Sequence, residues 1–295
     1  MATTRAALPA SSIKYKPVRK PQTLLIYLAL IGLGAFFTFP FLWTVLSALK
    51  SPREIFVFPP PIFPEKFMWS NFVEVVRQVP FFRFGLNTLT VALLSVVGDI
   101  TTATLVAYGF TRFRFPGRDA LFLLVISTLL LPPEVTIIPQ FLMFRMINLI
   151  DSLVPLILPA FLATSGFSIF LMRQFLLTLP KDLDEAATMD GAGSMRILWQ
   201  ILVPLSKPAI ATVGIFSFLY HWNDFFRPLV FLSTPENFTL AIGLRYFQRA
   251  VQTGGEPKEQ LLMAAVVMMT IPVTILFFAM QHYFVEGIAM SGIRR

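Results

Sequence analysis

Pro180-Lys181-Asp182-Leu183-Asp184-Glu185-Ala186-Ala187-Thr188-Met189-Asp190-Gly191-Ala192-Gly193-Ser194, followed by Ile197, Leu198, Ile201, Leu202 and Pro204, is a polar island between long apolar runs. It reads as two short helices. Pro180 suits a first-turn position, where its missing amide donor is not needed. Asp182, Asp184 and Glu185 put negative charge where the helix dipole favours it. Ala186 and Ala187 are small helix formers. Gly191 stands where helices end in a left-handed residue. Ser194 is placed to cap a second helix, with Ile197, Leu198, Ile201 and Leu202 along one face. Pro204 and Pro208 close it. Taken alone, such a loop is an amphipathic linker lying on a membrane surface.

The surroundings make it a membrane loop. Of 295 residues, 56% are hydrophobic, 32 are Phe, and only 14% are charged, whereas soluble domains carry about 25% charged residues. Mean hydropathy is +0.71. With no cysteine, a disulfide framework, thiolate metal sites and a Cys nucleophile are excluded. Only His221 and His282 could supply imidazole, which excludes a His-rich metal site. The net charge of +8 fits basic flanks that orient spans, so no nucleic-acid partner is expected.

Six stretches approach the roughly 20 apolar residues a spanning helix needs: Leu24–Leu46, Asn87–Phe110, Ala120–Ile138, Leu153–Leu171, Pro208–Leu232 and Leu261–Tyr283. The first is too long for a signal-peptide core and reads as an uncleaved span. Pro132-Pro133 ends the third, and Pro272 is expected to kink the sixth. The expected fold is therefore an all-α membrane protein with six transmembrane helices. A basic N-terminal segment occupies residues 1–23, the membrane domain 24–284 with its loop at 172–207, and a short tail 285–295. Basic residues cluster at Arg5, Lys14, Lys16, Arg19 and Lys20 and in the Arg112–Arg118 turn. Under the positive-inside rule this places both termini and the 172–207 loop in the cytoplasm. The second span carries Asp99, Ser95 and several threonines. A charge at mid-span costs about 3 kcal/mol, so this helix belongs inside the bundle. The first and sixth spans are expected to face lipid.

Glu185-Ala186-Ala187, Gly191, Ile201 and Val203-Pro204, at these spacings, resemble the EAA loop of permeases of binding-protein-dependent ABC importers. Asp190-Gly191-Ala192 and Pro208 are similar to its carbohydrate-uptake branch; Val203 departs mildly from the usual Leu. Further likeness lies in Ala107-Tyr108-Gly109-Phe110-Thr111-Arg112-Phe113-Arg114-Phe115-Pro116-Gly117, in Leu131-Pro132-Pro133-Glu134 with Ile138-Pro139, and in Trp222-Asn223-Asp224-Phe225 with Pro228. Together these resemble the second, six-span permease of the maltose and glycerol-phosphate systems from about Leu24 onward.

The resemblance implies the type I importer fold, an inner-membrane location, and a role as transport subunit rather than enzyme. It implies a coupling helix that docks on a cytoplasmic ATPase dimer through Glu185, Ala186, Ala187, Met189, Asp190, Gly191, Ala192 and Pro204. Its implied partners are a second permease, that ATPase, an extracytoplasmic solute-binding protein and membrane lipid. No G-x-x-x-x-G-K-[ST] loop occurs, so no cofactor is expected on this chain; ATP and magnesium belong to the partner ATPase. The implied solute is a sugar or related polyol.

Ionisable residues within spans point to function by default. Asp99, His221 and Asp224, with Tyr220, Trp222 and Asn223, are candidates for the translocation path, the aromatic rings suiting sugar faces. Each also has a structural reading. Asp224 and Arg227 are spaced for an i,i+3 ion pair, Asp99 can serve as a buried partner to another helix, and His221 can be a satisfied structural histidine. The competing function is an ion-coupled secondary transporter using Asp99, His221 and Asp224 as a relay. Such carriers are usually built from inverted repeats, and no internal repeat is evident.

Overall fold

The computed structural model describes residues 20–252 and 258–292, with side chains over 23–248 and 258–281. The N-terminal basic residues up to Arg19, the terminal Arg294 and Arg295, and the His282 side chain lie outside the described residues. No strand occurs among the described residues.

The chain begins with α1 (Lys20–Ala48), 29 residues long. Two short helices follow, α2 (Pro52–Ile55) and α3 (Ser70–Gln78). Buried Glu54 organises this connection by accepting the backbone amides of Ser51 and Glu65, each at 2.7 Å. The Ser51 hydroxyl first, and then these amides, favour its carboxylate and hold its pKa below the usual glutamate value. Asn71 donates to the carbonyls of Ala48 at 2.8 Å and Lys50 at 3.0 Å, so it occupies acceptors left open at the end of α1.

The 32-residue α4 (Phe81–Arg112) is the central helix. At 1.5 Å per residue it is about 48 Å long, well beyond the roughly 30 Å hydrocarbon core, so it also reaches the polar segments beyond one face. Its small and polar stripe explains why it lies inside. Ser95 donates to Leu156 at 3.4 Å and Thr102 to Ala160 at 3.1 Å. Between them, a Cβ on Gly98 would stand 2.9 Å from Phe161 and 3.0 Å from the Ala160 backbone. The stripe thus receives an irregular segment at close range, and its hydroxyls engage carbonyls there.

That segment revises the expected fourth span. Leu153–Leu171 is not one regular helix. It comprises α7 (Val154–Ile157), a 3₁₀ turn (Leu158–Leu162), the left-handed Ala163 at φ 56° and then α8 (Gly166–Leu176). Pro159 removes an amide donor that a continuous helix would use, whereas Pro155 sits in the first turn, where that donor is not needed. The expected third span also bends. The path α5 (Arg118–Ser127), a 3₁₀ turn (Thr128–Leu130) and α6 (Pro133–Met146) turns by 100°. Leu131 is extended before Pro132, as a residue preceding proline prefers.

The fifth span is likewise shorter than Pro208–Leu232. α12 (Lys207–Trp222) stops, and α13 (Phe226–Phe231) starts after a break at Asn223–Phe225. Pro228 has no amide to give the carbonyl four residues back, and Asp224 instead accepts the Arg227 amide at 3.2 Å. After a 3₁₀ turn (Pro235–Asn237) come α14 (Leu240–Gly243), α15 (Arg245–Gln252) and α16 (Glu259–Gly292). α16 runs unbroken through Pro272 and past residue 284, so helix and expected tail are continuous there.

By length and composition, four segments can cross a membrane as they stand, and up to six if each bent pair counts as one. α4 packs on α12, α8 and the 158–162 turn, while α1 pairs with α16. None of the apolar window of α1 is buried, as expected for a lipid-facing helix. At the end opposite the 182–205 segment, Asp151 ties two loops together. Its carboxylate accepts the amides of Ser233 and Thr234, each at 2.9 Å, and the Thr234 hydroxyl.

Candidate coupling segment and buried charge network

The 182–205 segment forms α9 (Asp182–Met189), α10 (Ser194–Ile197), a π turn (Leu198–Leu202) and α11 (Val203–Leu205). Gly191 ends α9 at φ +80°. Its amide donates to Thr188 at 3.0 Å, and that of Ala192 to Ala187 at 2.9 Å. These two bonds make a complete Schellman closure. Two expected details shift. Pro180 precedes the cap residue Lys181 instead of opening the helix, and Ser194 is the first helical residue after the cap Gly193. The helix–turn–helix itself stands, and an 80° bend at Ser206 leads into α12.

The segment has two faces. Ala187, Ile197, Leu198 and Leu202 are buried against Ala103, Ala107, Met172 and Leu176. Glu185, Ala186, Asp190, Gly191 and Pro204 are exposed, Ala192 is half-buried, and Met189 is 88% exposed. An adaptable methionine, small residues and a carboxylate thus project from a rigidly closed turn.

Two contacts escaped the sequence reading. The Arg112 Nε lies 2.8 Å from an Asp184 carboxylate oxygen, and its two Nη atoms donate to the carbonyls of Leu176 and Leu179, each at 3.2 Å. The Tyr108 hydroxyl donates to Ser194 O at 3.1 Å. Asp184 was accounted for by the helix dipole and Arg112 by membrane orientation. Neither rationale points to the other residue, which is distant in sequence.

Within the bundle, Asp99, His221 and Asp224 join one network through Arg227. Asp99 is 5% exposed and His221 6%. Ser217 donates to Asp99 Oδ2 at 2.7 Å, and His221 Nε2 stands 3.5 Å from the same oxygen. Arg227 Nη2 is 3.0 Å from His221 Nδ1. Guanidinium has only donors, so Nδ1 must accept, which leaves the proton of the neutral ring on Nε2 facing Asp99. Arg227 Nε donates to Asp224 at 2.6 Å, the i,i+3 pair read from spacing. The chain of groups therefore links α4 to both sides of the break after α12.

The remaining candidates divide. Trp222 is buried and donates to Met269 O at 3.2 Å. Tyr220 is exposed, with the Arg227 guanidinium carbon 5.0 Å from its ring centroid. Asn223 is exposed and donates to Leu219 O at 2.8 Å. No group of three or more His, Cys, Asp or Glu able to hold a metal occurs among the described residues.

Residues 99–290 match the family described as the inner membrane component of binding-protein-dependent transport systems. The sn-glycerol-3-phosphate transport system permease protein UgpE of Yersinia pestis is 35% identical over 260 residues, covering 86% of this chain and 91% of the relative. The osmoprotective compounds uptake permease protein GgtD of Synechocystis is 33% identical, covering 92% and 93%. A solved bacterial ABC transporter involved in import of the acidic polysaccharide alginate has a chain that superposes with a TM-score of 0.77. It is 25% identical, with 92% of this chain and 99% of that chain covered. These comparisons give no support to an ion-coupled carrier.

Proposed function

Because this chain belongs to the family of inner membrane components of binding-protein-dependent transport systems, we propose that it carries a sugar or related polyol inward and takes its driving force through α9 and α10. The solute class rests on relatives named for sn-glycerol-3-phosphate and osmoprotective compounds and on a structure named for the acidic polysaccharide alginate. The single observation carrying the coupling role is the two-faced segment. One face is buried in the bundle; the other presents Glu185, Ala186, Met189 and Asp190 outward.

In this reading both termini and the 182–205 segment are cytoplasmic. The outward face seats on an ATPase dimer that binds ATP and magnesium, while this chain binds neither. A second permease subunit completes the passage, and a solute-binding protein delivers cargo at the opposite end. Closure of the ATPase dimer displaces the segment as a unit, because Gly191 and the Schellman bonds prevent it from unwinding. Of the path candidates, exposed Tyr220 and Asn223 are placed to meet solute. Asp99, His221, Trp222 and Asp224 hold the helix break that positions them.

Since the chain has no cysteine, Met189→Cys supplies a unique thiol on it. In intact cells a membrane-impermeant maleimide should leave that thiol unlabelled, and a bifunctional cross-linker in permeabilised cells should join it to the ATPase. Labelling from outside would overturn the topology and the docking together.

A further inference from the structure

The segment is covalently continuous with α8 and α12, and force reaching those helices needs no further device. The geometry points to a second route: we propose that Tyr108 and Arg112 clamp the segment to α4, making this non-adjacent helix a driven element of the transport cycle. This rests on the coupling role proposed above.

The two residues are one helical turn apart, so both project from one side of α4. Each grips a different part of the segment. Arg112 holds the start of α9 through Asp184 and also binds the Leu176 and Leu179 carbonyls that lead into it. Tyr108 holds the start of α10 through the Ser194 carbonyl. Both side chains of the Arg112–Asp184 pair are mostly buried, at 8% and 19% exposure, where a charge pair is screened little by salt. A planar guanidinium that donates to two carbonyls and is paired with a carboxylate resists rotation more than a single contact would. Apolar packing of Ala103 and Ala107 on the same face closes the joint.

The other end of the route is equally defined. About two and a half turns before Tyr108, α4 carries Asp99, which meets Ser217 and His221 of α12. α4 is therefore pinned to the coupling segment at one end and to the buried network midway. A displacement of α9 and α10 that carried α12 but left α4 behind would have to break one of these joints. Tyr108 and Arg112 are positioning residues that keep the two helices moving together.

The test uses the complete complex, purified by a tag on this chain, with other subunits free of cysteine. Nitroxide pairs are placed at Leu94 and Ile275 to follow α4, and at Phe216 and Ile275 to follow α12. Distances are read by pulsed electron resonance without nucleotide and after trapping with ATP, magnesium and vanadate. Both pairs should shift in the native sequence. Arg112→Ala should reduce the α4 shift by roughly twofold or more while the α12 pair keeps its own. Exchange of the charges, Arg112→Asp with Asp184→Arg, should restore part of it. Tyr108→Phe and Arg112→Lys, which remove a hydroxyl and the fork alone, are measured alongside in case the alanine variant does not assemble. An α4 shift unchanged in every variant that assembles overturns the clamp. An α12 pair that does not move in the native sequence overturns the coupling role itself.

Discussion

Asp99 and His221 show how a residue can be noticed for the right reason and still have its duty settled by its neighbours. Ionisable groups in a span were legible as exceptional. Their mutual pairing was not, because α4 and α12 are joined only by tertiary packing. With both groups buried, removal of one partner strands the other. Asp99→Ala leaves the His221 Nε2–H and the Ser217 hydroxyl without their acceptor and should lower stability by about 1–3 kcal/mol, read as thermal inactivation of the detergent-solubilised complex. The Asp99→Ala/His221→Ala double variant should lose clearly less than the sum of the singles; simple additivity would deny the pair. Asp151 makes a separate prediction. Its pKa is pushed down from 3.8 to about 2, first by the Thr234 hydroxyl and then by backbone amides. A depressed carboxylate pKa adds stability that is present above 3.8 and lost as pH falls through about 2. Between those values the native protein should lose stability more steeply than Asp151→Asn.

At the scale of elements, composition and periodicity pointed to six apolar stretches, where the structure has four candidate spans, or up to six if each bent pair is one; the breaks within them were legible only in part. Pro132-Pro133 announced its bend. Pro155 and Pro159 lay inside a run apolar enough to read as one helix, and nothing local said that Ser95 and Thr102 on another helix would accommodate its irregular carbonyls. Pro228 carried the signal for the gap after Trp222, since it denies an amide to residue 224. The Gly191 turn was legible to the residue, because a left-handed helix end has few sequence solutions. The close approach at Gly98 tests this account of α4. Gly98→Leu must displace Phe161 or the Ala160 backbone, and overpacking of this kind costs about 1–3 kcal/mol. It should lower the thermal inactivation temperature, whereas Gly109→Ala, with open space around it, should leave that temperature close to native.

For the whole molecule, a long central helix is surrounded by broken ones, with a rigid two-faced segment at one end and a carboxylate-tied loop pair at the other. The order of residues in the segment was enough to suggest its resemblance, and the family match agrees with it. The proposed role of this segment is to receive force from a separate ATPase. The most direct measurement is recovery of that ATPase when the tagged chain is purified from its native membrane. The native sequence should retain the ATPase together with the second permease. Glu185→Lys and Gly191→Pro should retain the second permease but lose most of the ATPase. Equal recovery of the ATPase in both variants would contradict the account.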